Sequence, residues 1–116
     1  MVSRENNHTG DYGVEGMRLT TRYVHEAWLV QAGVGESLPE AREASFLETA
    51  KGLIALISLA STFPDHSRAS ESRGDIPARP GLNPLRYSTS RFTTPDQLGK
   101  LRSLLDEMGV LTSGSE

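Results

Sequence analysis

The hydrophobic positions of this 116-residue chain fall into three stretches whose spacing predicts three helices. The first stretch lies within 18–33, where apolar residues recur every three to four positions. These residues are Val24, Ala27, Trp28 and Val30. Gly33 and Gly35 follow, and either can take the left-handed conformation that ends a helix. The β-branched start of the stretch is also compatible with an extended conformation, so the helix is best supported from Tyr23 onward.

The second stretch has the clearest beginning. Ser37-Leu38-Pro39-Glu40 has the composition of a capping box with proline in the first turn. The predicted helix runs from this box to Thr62, and Pro64 ends it. Its second half, "GLIALISLASTFP", is apolar on nearly every side. Such a helix needs cover on more than one face.

The first and third predicted helices do not cover all of this surface, so one apolar face of the second helix remains without a partner. Its residues are Leu56, Ile57, Leu59 and Phe63. Either the following loop shelters them, or they form an interface with a second copy or with a larger complex. Contact with a membrane surface is a third alternative, disfavoured because no Lys/Arg stripe flanks the face.

The third stretch is signalled at both ends. Thr94-Pro95-Asp96-Gln97 predicts a capped start, and Gly109 predicts the end. Between them, leucines at helical spacing form one apolar stripe. Residues 64–92 carry four of the six prolines and predict a long irregular crossover between the second and third helices.

The predicted fold class is therefore mainly α, a three-helix unit with that crossover and a disordered N-terminal tail. Residues 1–16 are polar and aperiodic, which predicts the tail. Residues 17–112 are predicted to form a single small helical domain, and Met17 is an alternative start. Asn7-His8-Thr9 fits a glycosylation sequon, but the polar N-terminus shows no secretion signal that would give it meaning.

Composition narrows the function classes further. The net charge is -3, so the chain has no overall basic field for nucleic acid or an anionic membrane. The chain has no cysteine, which excludes disulfides and thiolate metal sites. The apolar run is too short to span a bilayer, and the expected location is the cytoplasm. Ten arginines against two lysines are typical of a GC-rich bacterial genome.

The sequence offers no recognisable catalytic constellation. The histidines at 8, 25 and 66 are scattered, and His25-Glu26 has Leu29 where a zinc-protease motif needs its second histidine. No nucleophile elbow or phosphate-binding loop is present. We therefore predict no catalytic residue, no metal and no cofactor.

A second function class is suggested by arginines in the crossover. Arg79, Arg86 and Arg91 lie there, with Tyr87 and Phe92 beside two of them. Arginine with interleaved aromatics can hold single-stranded nucleic acid by phosphate contacts and stacking. The acidic remainder of the chain makes this an alternative rather than the main hypothesis.

The C-terminal third resembles a known enzyme family. "IPARPG" followed by "LRYSTSRFTTPDQLGKLRSLLDEMG" is similar to the closing strand and helix of class V aminotransferases and cysteine desulfurases. The matching positions are Ile76, Arg79, Gly81, Arg86, Ser88, Thr93, Thr94, Asp96 and Gln97. The resemblance implies that Arg86 would hold a substrate carboxylate. Because the pyridoxal-phosphate lysine and the cofactor domain have no counterpart here, it implies a small enzyme or a remnant.

Together these observations favour a non-enzymatic assembly, regulatory or accessory subunit. It would act through the apolar helical surface formed by residues 56, 57, 59 and 63, with protein as its partner.

Overall fold

The computed structural model describes residues 1–110 and shows a mixed helix and strand architecture. Helices α1 (Gly13–Glu26), α2 (Leu38–Arg42) and α3 (Pro95–Glu107) alternate with short strands. The strands are β1 (Val2–Ser3), β2 (Gln31–Ala32), β3 (Val34–Gly35), β4 (Ser45–Thr49), β5 (Gly52–Leu56) and β6 (Gly81–Leu82). The predicted mainly α fold class is therefore wrong. The domain end predicted at 112 lies outside the described residues.

The N-terminal segment forms a β-α-β unit. Strand β1 pairs in parallel with β2, with Val2 opposite Gln31, and α1 connects them. The predicted disordered tail is wrong, because residues 2–3 are paired and α1 already begins at Gly13. A strand of two residues has no periodicity of its own, and its partner lies nearly thirty residues away. Only the folded chain brings the two together.

Arg4 holds the three parts of this unit together. Its main-chain N–H donates to Ala32 O at 2.9 Å, which extends the strand pairing by one residue. Its guanidinium is buried and donates to Thr21 Oγ1 at 3.0 Å, Gln31 Oε1 at 2.6 Å and Met17 O at 3.2 Å. Burial lowers the pKa of Arg4 from its ordinary value. These neutral acceptors compensate for the water that the charged group has lost.

Helix α1 ends earlier than predicted. Trp28 has a φ of 59°, and the N–H of Leu29 donates to Val24 O at 3.2 Å. This hydrogen bond runs from the residue after the left-handed Trp28 back to a carbonyl five residues earlier, and it ends the helix. Trp28 thus has the left-handed conformation that was predicted for Gly33 or Gly35. Gly33 and Gly35 instead belong to the strand region that follows.

The long second helix is the largest correction. Its start is as predicted, because Ser37 Oγ accepts from the N–H of Glu40 at 3.4 Å. The helix nevertheless ends at Arg42, and the chain then forms the antiparallel hairpin of β4 and β5. The apolar run therefore begins in a strand, and the predicted helical face of residues 56–63 does not exist. A continuous apolar run fits a buried strand as well as a buried helix.

The predicted crossover contains regular structure. A 3-10 turn spans Asp65–Ser67, and β6 pairs with β3. Leu82 of β6 is fully buried and anchors the segment in the small core. Residue pairs 60–84 and 68–82 form further isolated bridges. The crossover is thus folded onto the strands along much of its length.

The prediction for α3 is confirmed. The side chain of Thr94 accepts from Gln97 N, and Gln97 reaches back to Thr94 N, which completes the capping box. Gly109 has a φ of 71°, as expected for a residue that ends a helix. In the part of the chain that the structure describes, no residue of α3 is buried.

Arg4→Ala should destabilise the chain by about 1.5–3 kcal/mol, since several bonds from a charged donor are lost and their acceptors remain. Arg22→Ala is the matched control, because Arg22 lies exposed on α1 and should change stability by less than about 0.5 kcal/mol. Urea denaturation measures both. Equal effects would show that Arg4 does not link the unit.

Two glycine substitutions should act in opposite directions. A Cβ on Gly81 would lie 2.4 Å from Ser67 O and 2.5 Å from Ala69 N, both main-chain atoms. Gly81→Ala should therefore cost about 1–3 kcal/mol. Gly99 in α3 has open space around it, so Gly99→Ala should stabilise by about 1 kcal/mol. Thermal unfolding tests both, and a neutral Gly81→Ala would contradict this close packing of Gly81 against residues 67–69.

Candidate functional site

The candidate site lies where the two parallel strands end. Carboxyl ends of parallel strands meet at one edge of a sheet, and ligands of α/β folds bind in the crevice outside that edge. Here residues 4–12 follow β1 and Gly33 follows β2. We call residues 4–12 the β1 loop. It carries Glu5, two asparagines, His8 and Asp11.

Side chains within the β1 loop fix its shape. Asn6 Oδ1 accepts from the N–H of His8 at 2.8 Å, which forms an Asx turn. Thr9 Oγ1 donates to Arg4 O at 2.5 Å, and Asp11 N–H donates to His8 O at 3.0 Å. The loop is therefore a series of tight turns anchored at Arg4.

His8 is oriented by a carboxylate. His8 Nδ1 lies 2.8 Å from Asp11 Oδ2. A carboxylate accepts, so Nδ1 carries a proton, and Nε2 is the ring nitrogen left to exchange a proton with a ligand. His8 Nε2 lies 3.4 Å from Asn7 Nδ2, which is a long contact. An imidazole held in this way can take up and return a proton.

His8 lines a cavity of about 380 Å³. Most of the other lining side chains are polar: Ser3, Arg4, Asn6, Thr9, Tyr12 and Thr20, together with Gly16. This volume is within the range of small-molecule sites. These side chains offer hydrogen-bond donors and acceptors to a hydrophilic ligand.

Glu5 connects the β1 loop to the segment after β6. Its Oε1 accepts from the N–H of Asn83 at 2.6 Å, and its Oε2 is buried without a partner among the described residues. Burial raises the pKa of Glu5 to about 7, while the Asn83 bond acts in the opposite direction. Gly33 is required beside it, because a Cβ there would lie 2.4 Å from Glu5 Cγ.

Asn83 and two serines extend the group of hydrogen-bonded residues around Glu5. Asn83 is buried and its Nδ2 donates to Ser58 O at 2.9 Å. The hydroxyls of Ser58 and Ser3 are hydrogen-bonded to each other. Residues at or just after the ends of β1, β5 and β6, which belong to three separate sheets, are thus hydrogen-bonded together next to the loop that carries His8.

The residues predicted from sequence to form an interface differ in their secondary structure and in their exposure. Leu56 lies in β5 and is half-buried, as is Phe63, whereas Ile57 and Leu59 are exposed. They share no helical face. Their role in binding a partner stays a prediction.

The arginines of the predicted anion or nucleic-acid contact have different environments. The Arg79 guanidinium donates to Arg68 O at 2.9 Å and to Asp65 O at 3.3 Å, so it braces the crossover. Arg86 and Arg91 are exposed in the segment between β6 and α3. Arg86 is not in a strand, in contrast to the closing strand that the aminotransferase resemblance implies. Nucleic-acid binding by these residues stays a prediction.

Sequence reasoning missed Glu5, His8 and Asp11, because they lie in the segment predicted to be disordered. The signal available was local: a run of acid, amide and histidine side chains, with His8 and Asp11 three residues apart. Within residues 1–110, no group of three or more His, Asp or Glu side chains could by itself hold a metal ion. In the same range, no helix combines the length and apolar character needed to cross a membrane.

The stability of the chain should depend on pH through Glu5. Its raised pKa means that the folded protein binds more protons than the unfolded chain between 4.5 and about 7. The free energy of unfolding therefore decreases as the pH rises through this window. Glu5→Gln should flatten this decrease, and Glu48→Gln, at an exposed position, should not. Urea midpoints at several pH values test this; an unchanged slope in Glu5→Gln would refute it.

Two curated proteins are similar to nearly the whole chain. They are the uncharacterized proteins y4sH and y4uA of Sinorhizobium fredii (strain NBRC 101917 / NGR234). Each is 47% identical over 108 residues, which is 93% of this chain and 23% of the relative. The chain thus spans about a quarter of the length of these relatives.

A family match covers residues 1–108. It includes the β1 loop and also the segment on which the aminotransferase resemblance depends. The prediction of a helical-bundle accessory subunit is wrong, because the matched segment has a mixed helix and strand fold. By this match, the chain belongs to the family described as bacterial capsule synthesis protein PGA_cap.

Proposed function

We propose that this chain supplies a ligand-binding and proton-transfer site to an enzyme of bacterial capsule synthesis. The observation that carries the proposal is the His8–Asp11 pair at 2.8 Å on the rim of a polar cavity. Family membership supports the link to capsule synthesis. The predicted non-enzymatic role has no corresponding support from the family.

The proposed roles follow from the positions of the side chains. His8 Nε2 takes a proton from a hydroxyl or amine of the substrate and returns it later, so the group acts as base and then as acid. Asp11 keeps the proton on Nδ1 and stabilises the imidazolium when it forms. Asn6, Thr9 and Thr20 offer hydrogen bonds that would orient a hydrophilic substrate in the cavity.

His8→Gln should abolish most of the activity, because the amide cannot exchange the proton. Asp11→Asn should reduce it by the loss of orientation. In the bacterium that carries this gene, we expect at least an approximately tenfold fall in cell-associated capsule polymer for His8→Gln. Polymer extracted from washed cells is quantified against protein level on immunoblots.

The matched control is His25→Gln, since His25 is exposed at the end of α1 and away from the cavity. This variant should make parental amounts of capsule. Normal capsule in both His8→Gln and Asp11→Asn, with the protein present at parental levels, would contradict the proposal.

A further inference from the structure

The hairpin of β4 and β5 carries large apolar side chains on both faces. Cross-strand partners share a face, so the registers Phe46–Ala55 and Glu48–Leu53 define one face, and Leu47–Ile54 and Ser45–Leu56 define the other. Antiparallel sheets with one face in water alternate between apolar and polar residues, whereas strands covered on both faces are continuously apolar. The run Leu53–Ile57 has the second pattern.

Within residues 1–110 neither face is closed. Phe46 is 57% exposed, Leu53 66% and Ile54 48%. Strands β4 and β5 pair with each other and with no other strand in this range, so the outer edge of each presents unpaired main-chain groups. Contiguous exposed apolar side chains beside a free strand edge are typical of a surface that binds another chain or segment.

Helix α3 has the same character. Its apolar residues Leu98, Leu101 and Leu104 are exposed, as is Met108 at its C-cap. The helix is well capped, and so its local structure is complete while its packing is not. Two separate elements therefore lack cover, and both are apolar.

The family relatives indicate what provides the cover. The matched 108 residues are 23% of each relative, so more than three quarters of those polypeptides lies outside the matched segment. At 47% identity the matched segments share one fold. The same hairpin is therefore made in a much longer chain, which has ample length to close it.

We propose that β4 and β5 are inner strands of a larger β-sheet, completed by the remaining polypeptide of the capsule synthesis protein. An extended apolar segment of that polypeptide pairs along β5, whose residues are more apolar than those of β4. Other parts of it cover both faces of the hairpin and the stripe of α3. This inference depends on family membership and not on the roles given to His8 and Asp11.

Such a sheet would adjoin the candidate site through side-chain hydrogen bonds. Ser45, the first residue of β4, donates from Oγ to Gln31 O of β2 at 2.5 Å. Ser58, two residues after β5, is bonded to Ser3 of β1. The completing polypeptide would therefore be positioned relative to the β1 loop by the hairpin itself.

The test compares two settings of the same segment: this chain alone, and a chimera in which its residues 1–108 replace the matched segment of full-length y4sH. The variants are Leu53→Asp and Ile54→Asp, one on each face of the hairpin. Lys51→Asp is the control, because it adds the same carboxylate at the hairpin turn, off both faces.

In the chain alone, all three variants should keep the parental thermal midpoint within about 2 °C, as exposed substitutions do. In the chimera, Leu53→Asp and Ile54→Asp should lower the yield of soluble folded protein by about tenfold or more, because a carboxylate would be buried. Lys51→Asp should leave that yield unchanged. Hydrogen exchange gives a second measurement: β5 amides that do not bond to β4 should be protected in the chimera only.

Three results would overturn the inference. Parental yield of both face variants in the chimera would mean that the hairpin stays in water. Unfolding of these variants in the chain alone would mean that the chain covers its own hairpin. A dimer of the chain that Ile54→Asp dissociates, seen by sedimentation, would make a second copy the partner. Because each measurement is of folding or association, loss of capsule in a His8 variant has no bearing on it.

Discussion

The buried guanidinium of Arg4 is the interaction on which the described structure depends. It reaches the main chain of α1 at Met17, a side chain of α1 at Thr21 and a side chain of β2 at Gln31, while its own main chain extends the pairing with β2. A charged group out of water is stable only if its donors are satisfied, so these contacts fix the helix against both strands. The β1 loop begins at the same residue, and its geometry follows from that fixed point.

The loop serves two adjoining clusters. On one side, the carboxylate of Asp11 is hydrogen-bonded to His8, which lines a cavity rich in polar side chains. On the other, Glu5 lies against Gly33 and binds the main chain of Asn83, which belongs to a segment almost eighty residues away. A half-buried carboxyl with one unpartnered oxygen is costly in its charged form, which is why its pKa rises. Such perturbed groups cluster at functional sites, in agreement with the position of Glu5 at the edge where the strands end.

Local signals in the sequence predicted local structure well. The caps at Ser37 and Thr94 and the stop at Gly109 are all present, because each depends on residues within one turn. The extent of the second helix was predicted wrongly for a physical reason. The continuously apolar run is equally compatible with a strand covered on both faces and with a buried helix. The length of the apolar run favoured a helix, but the structure pairs Ser45–Thr49 with Gly52–Leu56 in a hairpin.

The sequence by itself determined the capped starts of α2 and α3, the end of α3 at Gly109, the absence of cysteine chemistry and the presence of a continuously apolar segment that needs cover. Tertiary structure alone decided the pairing of β1 with β2, the folding of the crossover onto β3 and the assembly of Glu5, His8 and Asp11 at one strand edge. These contacts join residues far apart in the chain, and their free energy comes from packing and hydrogen bonds that no short window of residues contains. The candidate site could therefore not be recognised before the parallel strands were known, since its polar residues lie in a segment with no periodicity.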